Sequence, residues 1–72
     1  PANSEVLIAL NGVDNFNGIS IDIFDLLGKK VGSLSNIVNK NNMDVSAFNN
    51  GVYFVSIMKY GSLLKTTKLI VE

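Results

Sequence analysis

The chain has 72 residues, six basic and six acidic side chains, a formal net charge of zero, and neither cysteine nor histidine. A domain this small buries only about 60% of the surface its unfolded chain exposes, and without cysteine no disulfide or thiolate metal site can staple it. Balanced charge leaves no basic stripe for a nucleic-acid backbone, which speaks against DNA or RNA as a partner, and no apolar run approaches the roughly 20 residues of a membrane-spanning helix.

The N-terminal residues lack the charged and apolar regions of an export leader. The chain opens on Pro1 rather than Met, so it is expected to be a single domain excised from a longer protein, with any leader in the remainder.

Period-2 alternation recurs along the chain and helical periodicity does not. Val6 to Leu10 is an apolar strand candidate, closed by the turn-prone Asn11-Gly12-Val13-Asp14-Asn15. Ile19, Ile21 and Ile23 then share one face of a strand, with Ser20 and Asp22 on the other. Asp25 to Lys29 reads as a tight turn, in which Gly28 supplies a positive φ and Asp25 accepts backbone N–H groups. Lys29 to Leu34 returns as the partner strand, and the Asn-rich stretch from Ser35 to Asn42 reads as a loop before a short strand through Met43-Asp44-Val45.

Ser46 to Gly51 is expected to turn around one buried anchor, Phe48, with Gly51 allowing close backbone approach under Tyr53. In Val52 to Lys59, Tyr53, Val55 and Ile57 take one face and Phe54, Ser56 and Met58 the other. Tyr60-Gly61 makes a second tight hairpin, and Ser62 to Val71 is the closing strand, with Thr67, Leu69 and Val71 alternating against Lys68 and Ile70.

Six or seven short strands with regular turn signals predict an all-β fold, a small antiparallel β-sandwich. Its expected core is Leu7, Ile21, Ile23, Val31, Val45, Phe48, Tyr53, Val55, Ile57, Leu69 and Val71. Phe54 and Met58, on the opposite face, are expected to form a partly exposed apolar contact patch with Ile70, either for a partner or for a second copy of the chain.

Histidine and cysteine being absent, the common catalytic triads and zinc cages have no residues to build them. The acidic residues are scattered and read as surface or turn-capping carboxylates. Asp14, within Asn11 to Asn17, is one carboxylate where a calcium loop needs several. No enzyme, catalytic residue, metal or cofactor is expected.

Four segments, in order, resemble the C-terminal sorting domain of proteins exported by the type IX secretion system of Bacteroidetes. Pro1 to Ile8 is similar to the family's opening "P-N-P-A-x-x-x-L-x-I", entered at its second proline. Ile21 to Val31 resembles "V-x-I-Y-D-x-x-G-K/R-x-V", Met43 to Val55 resembles "I-D-V-S-x-L-x-x-G-V-Y-x-V", and Thr67 to Glu72 resembles the terminal "x-K-L-I-V-K". Phe24 stands where tyrosine is more common, and Glu72 where the family usually ends on a basic or amide residue.

The resemblance implies an immunoglobulin-like sandwich that labels a cargo for export. It implies transit through the periplasm, recognition by the outer-membrane type IX translocon, and delivery to the cell surface or medium, commonly with cleavage and surface attachment by a cell-surface sortase. The sorting signal would lie in Lys68, Leu69, Ile70, Val71 and Glu72, with Lys68, Ile70 and Glu72 facing outward, while Pro1, Asp25, Gly28, Gly51 and Tyr53 serve the framework. The alternatives are an adhesive or carbohydrate-binding module, presenting Phe16, Phe54 or Tyr60, and a structural spacer.

Overall fold

The computed structural model describes residues 5–72; Pro1 lies outside them. Six strands form: β1 (Glu5–Ala9), β2 (Ile19–Phe24), β3 (Lys30–Leu34), β4 (Lys40–Asp44), β5 (Gly51–Lys59) and β6 (Ser62–Val71). They make two antiparallel sheets, one of four strands in the order β3-β2-β5-β6 and one of two, β1-β4. The described residues contain no helix, and the turn after β4 closes with the Phe48 N–H on the Val45 carbonyl at 3.0 Å.

Alternation decides which faces meet. Ile19, Ile21 and Ile23 on β2, Tyr53, Val55 and Ile57 on β5, and Leu69 and Val71 on β6 are buried, and their registers place Ile21 beside Ile57 and Tyr53 beside Leu69. The small sheet contributes Met43, followed by Val45, from the opposite side. Each of these side chains removes apolar surface from water, and together they form one continuous core.

The expected core needs three corrections. Leu7 is 57% exposed, because Val6 and Ile8 are the residues of β1 that turn toward the core. The unbroken apolar run offered two phases, and a one-residue slip exchanges the faces. Val31 and Phe48 pack against the core without being fully enclosed. Leu10, Ile19, Ile37 and Met43 complete the buried set.

The last three residues of the expected loop from Ser35 to Asn42 belong to β4. Its inward residue is Asn41, whose buried side chain accepts the Val38 N–H at 2.9 Å and donates to the carbonyls of Val38 at 2.7 Å and Ile8 at 3.1 Å. These bonds let a polar side chain occupy an inner position that apolar patterning does not reveal. They also tie the β3–β4 loop to β1.

Both hairpins have the chemistry their sequences suggest. Asp25 Oδ1 accepts the N–H groups of Leu27 and Lys29, each at 2.9 Å, and Gly28 has φ +84°. At the second turn Tyr60 and Gly61 have φ values of +48° and +83°, between the paired Lys59 and Ser62. Positive φ at both central residues is the type I′ geometry that matches the twist of the flanking strands.

The glycines crowded by their surroundings are Gly18, against the Tyr60 ring, and Gly32, not Gly51. A Cβ at Gly32 would stand 2.8 Å from Met43 Cε and 3.4 Å from Phe48 Cζ, whereas nothing lies within 4 Å of one at Gly51. Tyr53 is instead held from its far end: its hydroxyl donates to the Asn49 carbonyl at 2.7 Å, and its ring lies 5.0 Å from that of Phe48.

Candidate recognition surface

The closing strand takes its conformation from its neighbour. β6 follows β5 through a two-residue turn, and the pairing runs from Lys59 with Ser62 to Gly51 with Val71. Inward positions are fixed by that ladder, so Leu69 and Val71 are buried, while Lys68, Ile70 and Glu72 are exposed. The last five residues thus split into two jobs: two side chains hold the strand to the core and three face solvent.

A register shift between Ile57 and Met58 inserts one extra β6 residue, Leu64, near the turn. Leu63 and Leu64 are both exposed there.

The outer face of the four-stranded sheet carries more apolar surface than a one-sided sheet requires. Phe54 and Met58 are half-buried and Ile70 is 42% exposed. The register divides them into two groups. Phe54 lies beside Phe24 of β2, and Val52 beside Ile70, at one end; Met58 lies beside Leu63 at the turn end. Ser56 and Thr66 occupy the row between. The expected single patch of Phe54, Met58 and Ile70 is therefore two smaller ones. Phe24, Val52 and Leu63 join them.

The three aromatics of the carbohydrate-binding alternative do not share one setting. Phe16 packs against the core, Phe54 lies on the outer face of β5, and Tyr60 sits at the hairpin tip with its N–H on the Gly18 carbonyl at 2.9 Å.

The acidic residues serve turns and edges. Asp25 caps the first hairpin, Asp22 lies 3.8 Å from Lys30 Nζ, and Asp44 Oδ1 accepts the Ser46 N–H at 2.9 Å. Hydrogen bonding from Ser46, first from its backbone, holds the Asp44 carboxyl below its ordinary range. In the loop before β2, Asn15 Oδ1 accepts the Asn17 N–H at 2.8 Å, a local turn bond beside Asp14. Among the described residues no three histidine, cysteine or acidic side chains converge on a point that could hold a metal ion.

The family model described as "Secretion system C-terminal sorting domain" matches residues 1–72, the whole chain. The chain belongs to that family. No curated protein and no solved structure gives a significant match. This sorting domain is a type IX secretion signal that directs export toward the cell surface or medium through the type IX machinery. Each of the three internal and terminal motifs has a place in the fold: the Asp25–Lys29 hairpin turn, the turn and strand from Asp44 to Val55, and the closing strand β6.

Proposed function

We propose that the sorting domain is a chemically inert address whose readable part is the outward side of β6. Lys68, Ile70 and Glu72 present the signal, and Leu69 and Val71 hold it in register. The reading rests on the alternating burial of the last five residues, in a chain whose family is defined by export. The cargo crosses the periplasm, the outer-membrane translocon engages this face, and a cell-surface sortase removes the domain and attaches the cargo. The domain ends the longer protein it labels and performs no catalysis of its own.

The test is a double substitution, Lys68→Ala with Ile70→Ser, in residues 1–72 fused to an inert reporter in a cell with a working type IX system. Neither side chain is in the core, so the variant should keep its urea midpoint while the reporter accumulates in the periplasm. Delivery at the normal level would show that the signal is read elsewhere. A Leu69→Ser variant provides the contrast, since it should lose folding and export together.

A further inference from the structure

A cleft of about 270 Å³ lies between β1 and the inner face of β5 and β6. Val6 and Ile8 form one wall, Val55 and Ile57 lie on the floor, and Lys65 and Lys68 border it. Lys65 and Thr67 stand in register with Ile57 and Val55, on the inner side of the sheet, yet both are exposed. The small sheet does not reach over this part of β6.

Beyond β6 no described strand continues the sheet. A ten-residue edge strand therefore presents a row of backbone donors and acceptors beside this cleft. Its charge has one sign. Neither β5 nor β6 contains an acidic residue, and among the described residues no carboxylate lies within ion-pair distance of Lys65 or Lys68. A second copy is a poor occupant, because pairing two β6 edges gathers four lysines on one ribbon with no acidic residue in either strand to offset them.

We infer that the free edge of β6 accepts an extended acidic peptide strand from a partner, added to the sheet by backbone pairing. Lys65 and Lys68 are three apart and so project to opposite faces. The matching strand carries two carboxylates with the same spacing, and its inward residues fill the cleft beside Lys65 and Thr67. Backbone pairing supplies affinity and the alternating side chains supply selectivity. This inference shares Lys68 with the export reading but concerns what the edge binds, and its test needs no secretion system, so each can fail without the other.

The probe is a nine-residue peptide of valine and threonine carrying two glutamates three positions apart, titrated into the 72-residue chain and followed by amide NMR and hydrogen exchange. The expected result is saturable binding, with shifts and new exchange protection between Leu63 and Leu69, weakened by salt. A Lys65→Glu, Lys68→Glu variant should bind at least about tenfold more weakly, on the scale of two exposed ion pairs lost and reversed. Both positions are exposed, so its urea midpoint should match the parent. One of the two patterns of alternate backbone N-methylation in the peptide should abolish binding.

Equal affinity for a lysine-bearing peptide would overturn the proposal. So would binding indifferent to both methylation patterns, an absence of binding, or a β6-to-β6 dimer by sedimentation.

Discussion

Replacing Asn41 with alanine tests whether one polar side chain fastens the small sheet. The substitution removes three hydrogen bonds and leaves the Val38 N–H and the carbonyls of Val38 and Ile8 without their partner. Each bond contributes about 1 kcal/mol net, and solvent reaching a partly buried site recovers some of it, so the loss should be about 2–3 kcal/mol. In a domain of this size each kcal/mol moves the melting temperature by about 4–8 °C, giving a fall of between about 8 and 24 °C by calorimetry, with a matching drop in urea midpoint. Asn41→Asp separates the contributions. It keeps the acceptor for the Val38 N–H but turns both donor contacts into oxygen facing oxygen, so at neutral pH it should cost at least as much as alanine. A loss below about 0.5 kcal/mol for Asn41→Ala, the range of surface sites, would refute the reasoning.

At Gly28 the cost should be conformational, because a Cβ there meets nothing within 4 Å while φ is +84°. Gly28→Val should lose about 2 kcal/mol or more and Gly28→Asn much less, and equal urea midpoints for the two would remove the argument. Tyr53→Phe keeps the ring beside Phe48 and removes the bond to Asn49, so chemical denaturation should show a loss of about 1 kcal/mol. Asp44 has a folded pKa below its ordinary 3.8, so its contribution is complete above that value and disappears as pH falls through the folded pKa. The stability advantage of the parent over Asp44→Asn should therefore be flat near neutrality and shrink below about pH 4; urea midpoints that stay in step to pH 2 would contradict the assignment.

The four-stranded sheet was largely readable because its inner faces are apolar and its turns carry Asp, Gly or a positive φ. Ile21, Ile23, Val55, Ile57, Leu69 and Val71 follow directly from alternation, and so does the outward setting of Lys68 and Ile70. The two-stranded sheet was less legible. In β1 every residue from Val6 to Ala9 is apolar, so either phase was available, and in β4 an asparagine fills an inner position. Ile37 is buried from within a polar loop, an outcome set by tertiary packing. The paired arrangement of Phe24 with Phe54 depends on which strands are neighbours, and periodicity within one strand carries no such information.

The contrast between the two hairpin-closed pairs and β1–β4 has a kinetic consequence. β5 and β6 meet across two residues, and β2 and β3 across a short turn, whereas β2 and β3 both lie in the chain between β1 and its partner β4. Local loops close early and at small entropic cost, and distant pairings come later. The strand bearing Lys68, Ile70 and Glu72 should thus acquire its ladder among the first events of folding. The sheet containing Val6, Ile8 and Asn41 should be the last to dock, and the first to open when the domain loosens.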